Sequence, residues 1–242
     1  HFSFVMDEVL KNNVNLETSS SYDIDIINHL IDQGKLQPHQ KIICNGFKPD
    51  RYIEKIAELI ERDAVEVIPV VDNYSELERL LKLTDKKIKI GVRIASEEDP
   101  KFEFYTSRLG LRYRSIVPFY EKQIKDNHQV ELTMLHFFIN TGIQDNSYYW
   151  NELTKSLRAY GQLKMICPEL NSLNIGGGFP IKKSLAFDYD YEYMVEEIVT
   201  QIKNLCKEYD IPEPNIYTEF GSFTVGESGG AIFKILDQKH QN

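Results

Sequence analysis

The sequence predicts an α/β fold, a (β/α)8 TIM barrel whose first strand is missing from this chain. Three observations carry that reading. Along 242 residues, apolar positions switch back and forth between strand and helix spacing, the pattern of parallel βαβ units. The chain opens on a helix, whereas a closed barrel needs eight strands, each followed by a helix. Polar residues recur where the strands end, and barrels of this kind hold their ligands at that face. A doubly wound open sheet is the alternative, but seven units after an absent first favour closure. The absent strand is then expected immediately upstream of His1. With no initiator Met, the chain is expected to begin inside a longer polypeptide.

Each element follows from local pattern. Val5, Met6, Val9 and Leu10 share one helical face. A short strand is expected over 14–18, and Ser19-Ser20-Ser21 with Asp23 can cap the helix carrying Ile24, Ile27, Leu30 and Ile31. Residues 41–45 (KIICN) form an apolar strand stopped by Gly46, and Ile53, Ile56, Ala57 and Ile60 mark the next helix. A strand over 65–71 contains Pro69, which cannot donate to a ladder. Ser75 and Glu78 have capping-box spacing before a helix with Leu77, Leu80 and Leu81. A strand over 88–94 includes Gly91, and a polar loop leads to a helix with Ile116, Tyr120 and Ile124. Strand 131–138 precedes a helix face of Trp150, Leu153 and Leu157. Leu173-Asn174-Ile175 ends a short strand before three glycines, and a helix with Met194, Ile198, Ile202 and Leu205 follows. Strand 215–219 closes the series. After Gly229-Gly230, residues 231–236 (AIFKIL) read as a strand of something new, so the expected division is a barrel over 1–228 and a second unit starting at 229–242.

Composition narrows the function classes. Hydrophobic content of 42% and charged content of 27% fit a soluble globular protein with a large core. A formal charge of −9 with no basic stripe excludes a nucleic-acid partner, because phosphate backbones reward Lys and Arg. No apolar run is long enough to cross a bilayer, and the start does not read as a signal peptide. Cys44, Cys167 and Cys206 are few, odd in number and far apart. They suit a reducing cytoplasm and exclude a CxxC metal knuckle; no metal ligands are assigned.

The strand ends gather the residues that could do chemistry. They read Glu17-Thr18-Ser19-Ser20, Asn45-Gly46, Val71-Asp72, Arg93, the stretch His136 to Thr141, Gly176-Gly177-Gly178, and Glu219-Phe220-Gly221-Ser222. Consecutive glycines let bare N–H groups approach a ligand without a Cβ in the way, and phosphate is the ligand that most often uses such a nest. A tight turn chosen for sterics alone is the plainer explanation of the same three residues.

Several stretches, in order, resemble the fold-type III pyridoxal-phosphate decarboxylases, the ornithine, arginine and diaminopimelate decarboxylases with an alanine-racemase-like barrel. Ile43-Cys44-Asn45-Gly46-Phe47-Lys48 is similar to the ICNGYK stretch of the biosynthetic arginine decarboxylases. Gly91-Val92-Arg93-Ile94 is similar to their GVR strand, and Ser107-Arg108-Leu109-Gly110 to their SKFG turn. The run from Leu135 to Thr141 (LHFFINT) resembles LHFHLGS, and Asn174-Ile175-Gly176-Gly177-Gly178 resembles the D-hydrophobic-GGG motif. Thr218 to Ser222 (TEFGS) resembles the E-(P/S)-G-R segment.

The resemblance implies pyridoxal 5′-phosphate as cofactor, with Mg2+ possible by the same likeness only. It assigns Gly176, Gly177, Gly178 and Thr141 to the phosphate, and Glu219 to the protonated pyridine nitrogen as the catalytic carboxylate. Phe138 stands where the family has a ring-stacking histidine and can stack in its place. His136 matches the other histidine of the pattern and is counted with the cofactor-binding residues, a satisfied histidine beside the strand being the plainer expectation. Arg93 is also counted with the cofactor-binding residues; it is expected on the inner face, buttressing carboxylates through a structural ion pair or contacting the ligand directly. Asn140 replaces a glycine and Ser222 an arginine. The Schiff-base lysine is expected upstream of His1; Lys48 matches a loop lysine and is expected to be a surface charge. The implied activity is decarboxylation of a basic amino acid, arginine to agmatine and CO2 in polyamine synthesis, by a cytoplasmic homodimer or higher homo-oligomer, the chain given being inactive alone. Ornithine or diaminopimelate as substrate, a non-catalytic homologue, and an unrelated phosphate-binding barrel are the alternatives.

Overall fold

The computed structural model describes residues 3–96, 109–139, 143, 146–181 and 188–225. Its frame is a curled parallel sheet of seven strands: β1 (Leu16–Thr18), β2 (Lys41–Cys44), β3 (Glu66–Val71), β4 (Ile88–Ile94), β5 (Val130–Phe137), β6 (Ser172–Asn174) and β7 (Asn215–Tyr217). Among the described residues each pairs only with its sequence neighbours, and every pairing is parallel. A doubly wound sheet reverses strand order at a switch point; this order never reverses, so the sheet winds in one direction as a barrel wall does.

Among the described residues eight α-helices accompany the strands: α1 (Ser3–Leu10), α2 (Ser21–Asp32), α3 (Asp50–Arg62), α4 (Tyr74–Leu81), α5 (Tyr113–Phe119), α6 (Asn146–Lys164), α7 (Tyr191–Tyr209) and α8 (Gly221–Val225). Ser20 caps α2, its hydroxyl accepting from the Asp23 N–H as the sequence suggests. The cap of α4 differs from expectation. Asn73, two residues before Ser75, accepts from the Ser75 and Glu76 N–H groups, so the Ser75–Glu78 box does not form. Helix α5 contains Pro118 and gives way to a π turn over Tyr120–Ile124. A proline lacks the N–H for its i−4 bond, and a shift to wider spacing is one way to continue past it. Helix α8 was not legible as a separate element.

Pro69 does lie within β3, opposite Cys44 of β2. β3 pairs with β4 only from Val70 onward, so the missing donor interrupts no bond on that side. A register shift at Ile90/Gly91 lets Gly91 face Met134 and brings Arg93 level with His136. The strand predicted over 231–236, and the division at 228/229, lie outside the described residues.

Two cores result. The larger fills the space between sheet and helices, with Ile24, Ile56, Ile90, Leu135, Leu153 and Leu173 among its buried members. The smaller, Ile43, Ile68, Val70 and Met134 with Tyr217 packed against it, fills the inside of the curl. That inner plug is the floor on which the candidate site rests.

Candidate active site

Side chains two apart on a strand share a face. Two residues beyond the inner plug, the strands therefore change from apolar to polar: Ile43 leads to Asn45, Val70 to Asp72, Met134 to His136, and Tyr217 to Glu219. Gly91 leads to Arg93 and Ser172 to Asn174 in the same way. Register aligns Arg93 with His136 and His136 with Asn174 across three neighbouring strands. Asn45, Asp72, Arg93, His136 and Asn174 are all buried, and the Glu219 side chain is 20% exposed.

The layer converges on Glu219. Its Oε1 accepts from Asn45 Nδ2 and from Asn174 Nδ2, each at 2.7 Å. His136 Nε2 lies 3.4 Å from the same oxygen, an ion-pair distance without hydrogen-bond geometry. Burial pushes the Glu219 carboxyl up, but the His136 charge, with contacts from His136, Asn174 and Asn45, outweighs it and holds the group at about 2. Both His136 nitrogens, Asn45 Oδ1 and Asp72 Oδ1 have no hydrogen-bond partner among the described residues. His136 is thus not the satisfied histidine expected from sequence. Unpaired buried polar atoms are costly, and their concentration in one layer points to a ligand that completes them.

Gly176, Gly177 and Gly178 turn the chain away from the end of β6. Gly176 and Gly178 have φ of 66° and 90°, the left-handed region that favours glycine. A Cβ on Gly177 would lie 2.1 Å from the Glu219 carbonyl oxygen, so the turn and the end of β7 are in backbone contact. Gly176 N–H donates to Asn174 Oδ1 at 2.9 Å, while the Gly177 and Gly178 N–H groups have no acceptor among the described residues. Two N–H donors without an acceptor among the described residues, beside an anionic carboxylate, fit a ligand with phosphate at one end and a protonated ring nitrogen at the other.

Arg93 lies on the inner face as expected, its guanidinium 5.7 Å from the centroid of the Phe138 ring. Phe138 is half-buried beside Gly176, whose Cβ, if present, would meet the ring edge at 2.8 Å. Arg93 also draws down the carboxyls of Asp72 and Glu17 electrostatically, although burial raises both on balance. Asn140 and Thr141 lie outside the described residues, and Ser222 is exposed at the start of α8.

Lys48 overturns its expectation. It is buried, not a surface charge, and its Nζ donates to Gly46 O at 2.8 Å and Val70 O at 2.5 Å while facing Glu76 Oε2 at 3.4 Å. Glu76 also accepts from the Lys48 and Asp72 N–H groups at 3.0 and 2.9 Å, tying the loop after β2 to the end of β3. Burial pushes the Lys48 ammonium below its ordinary range, against the pull of Glu76.

Glu17 stands at the end of β1. The residue as a whole is exposed, yet its carboxyl is pushed up to about 7, first by burial of the carboxyl group itself and then by the Glu219 charge, with Asn45 opposing. From the ordinary 4.5 to about 7 the folded chain holds a proton that the unfolded chain has lost, so stability falls as pH rises through that window. Glu17→Gln is expected to raise the unfolding midpoint at pH 8 by a modest amount and to leave it unchanged at pH 4. Equal shifts at both pH values, followed by circular dichroism, would rule out that charge effect.

Comparison with known proteins agrees with the geometry. The family model described as "Pyridoxal-dependent decarboxylase, pyridoxal binding domain" matches residues 5–226. The biosynthetic arginine decarboxylase of Geobacter sp. (strain M21) is 26% identical over 216 residues, covering 83% of this chain and 34% of that protein. That of Vibrio vulnificus (strain YJ016) is 25% identical over 250 residues, covering 96% and 39%. The chain thus spans little more than a third of the length of these curated relatives. Among solved structures, the biosynthetic arginine decarboxylase of Campylobacter jejuni superposes with a TM-score of 0.68 at 21% identity, over 88% of this chain and 35% of that one. The Helicobacter pylori diaminopimelate decarboxylase complexed with L-lysine gives 0.67 at 15%, over 89% and 52%. At such identities the structures establish the shared barrel fold.

Proposed function

We propose that this chain, which belongs to the pyridoxal-dependent decarboxylase family, is the cofactor-holding barrel of an enzyme that decarboxylates a basic amino acid, with arginine as substrate and agmatine and CO2 as products. The observation that carries the reading is Glu219, a carboxylate held ionised beside an open glycine turn. Gly177 and Gly178 would hold the phosphate of pyridoxal phosphate through their N–H groups, with Gly176 beside them; Thr141 joins the assignment by its sequence alone. Glu219 would hold the proton on the ring nitrogen, and Phe138 would stack on the ring. Once bound, the cofactor supplies an electron sink for the carbanion left by departing CO2. The remaining work belongs to the chain. His136 and the two asparagines keep Glu219 charged and oriented, and the apolar plug beneath them keeps water from below.

Arginine is favoured by the curated relatives and by the ICNGFK stretch, because the fold itself is shared with proteins named for arginine, lysine and diaminopimelate. The covalent lysine anchor upstream of His1, a second domain from about 229, polyamine synthesis, a homo-oligomer and a cytoplasmic location belong to the same proposal. No described helix is long and apolar enough to cross a membrane. No group of three potential metal-ligating side chains occurs among the described residues, and Mg2+ has no part in the proposal.

The test uses the full-length protein loaded with pyridoxal phosphate. Arginine should yield agmatine and CO2, and Glu219→Gln should lower kcat by roughly 10²–10³-fold, the scale of removing one preorganised charge contact. Putrescine from ornithine, or lysine from diaminopimelate, would move the substrate assignment. Cofactor binding with no CO2 from any of the three would favour the non-catalytic homologue, and absence of binding would overturn the reading altogether.

A further inference from the structure

We propose that Lys48 and Glu76 are positioning residues for cofactor recognition: they fix the turn from which Asn45 reaches Glu219, and so set how that carboxylate meets the ring nitrogen. This rests on the pyridoxal reading above. Asn45 donates to Glu219 Oε1 across the curl from the end of β2, 174 residues away in the chain. Such a contact is only as exact as the place where β2 stops. Cys44 opposite Pro69 is the last register pair between β2 and β3. Gly46 follows Asn45 at once, with φ of 73°, and glycine is the residue with most conformational freedom to lose. The ladder to β3 therefore ends one residue before Asn45, and the softest backbone in the turn comes one residue after it.

Side chains take over where that ladder stops. Lys48 Nζ donates to Gly46 O at 2.8 Å and to Val70 O at 2.5 Å, so one ammonium bridges the turn and the strand beside it. Glu76, arriving on α4, accepts from Lys48 N–H at 3.0 Å and from Asp72 N–H at 2.9 Å. Asn45 N–H donates to Thr18 O at 2.8 Å and ties the same residue to β1. The backbone around Asn45 is thus held from β1 and from β3 before any ligand arrives. A donor fixed in advance costs no ordering when the cofactor binds, and a carboxylate oriented in advance needs no reorganisation. An ion pair buried for stability alone is often matched by apolar side chains. Apolar side chains could not join the two strand ends that carry Asn45 and Asp72.

The test is a double-mutant cycle of Lys48→Met and Asn45→Ala in the full-length protein. Dialysis measures the affinity of each variant for pyridoxal phosphate and for its analogue with carbon in place of the ring nitrogen, at a temperature where circular dichroism shows every variant folded. The ratio of the two affinities reads the Glu219 contact, and a general loss of stability cancels in it. Wild type should prefer pyridoxal phosphate by roughly tenfold or more, the scale of one charged hydrogen bond. Each single variant should lose most of that preference, and the double variant no more than either, because both changes act on one contact. Leu163→Ala, a buried truncation in the last turn of α6, should lower stability and keep the preference. A preference unchanged in either single variant, or losses that multiply in the double, would overturn the proposal. Should Lys48→Met not fold, Glu76→Gln replaces it: one oxygen cannot serve both backbone N–H groups, and the same outcomes decide. If wild type binds neither compound, the pyridoxal reading fails, and ¹⁵N NMR of the Asn45 side-chain amide decides the positioning. Its resonance should shift in Lys48→Met and stay in place in Lys11→Met; a resonance unmoved by Lys48→Met would overturn the role of the clamp.

Discussion

Lys48→Met is expected to lower the unfolding free energy by about 3–5 kcal/mol, read as a fall in the urea midpoint. Methionine keeps the length and the apolar stem but removes every donor. The Gly46 and Val70 carbonyls lose their partner, and Glu76 loses the cation beside it, all in a setting where the two side chains are 3% and 2% exposed. Burial already depresses the ammonium, so the pair is held at a cost and its worth lies in what it joins. Adding Glu76→Leu should not restore stability, although apolar replacement of both partners is often neutral. Glu76 also accepts two backbone N–H groups, and leucine would orphan them. Lys11→Met is the control. Its contact with Glu8 is shorter, 2.6 Å, but both side chains are about 70% exposed, and the midpoint should not move. A Lys48→Met chain as stable as wild type would show that the clamp is dispensable.

Lys48 also shows where reading the sequence stops. Periodicity located all seven strands, because the spacing of Ile42, Ile68, Ile90 or Leu173 follows from which face is buried. The same rule of two, continued past the last apolar residue of each strand, points at Asn45, Asp72, Arg93, His136, Asn174 and Glu219, so the polar layer was legible as a set of strand ends. What it could not give was partnership across the sheet. Asn45 and Glu219 are 174 residues apart and meet only because the sheet curls. Lys48 sits in a loop of polar pattern, and its burial depends on Glu76 arriving from a different βα unit. His136 appeared as a motif neighbour, and only register places it against Glu219. Short-range signals found the elements; long-range contacts decide the charges.

Gly177→Ala is expected to abolish pyridoxal phosphate binding and to cost about 3 kcal/mol or more, the upper range for overpacking. The added Cβ would stand 2.1 Å from the Glu219 carbonyl oxygen and 3.1 Å from its carbon, both backbone atoms with no rotamer to escape by. The end of β7 would have to retreat, and with it the Glu219 N–H bond to Gly176 O and the reach of Asn45 and Asn174 to Oε1. Gly221→Ala is the control two residues beyond Glu219: its Cβ meets nothing within 4 Å, so stability and binding should stay at wild-type values. The comparison separates two reasons for the glycine run. If the run served only to bare N–H groups to phosphate, Gly177→Ala would weaken binding and leave the apo chain stable. The contact with Glu219 predicts that the apo chain is destabilised as well, because the middle glycine is the space through which the cup and the carboxylate approach one another. Calorimetry of the apo protein beside a cofactor titration gives both numbers, and an apo midpoint equal to wild type would defeat the second reason.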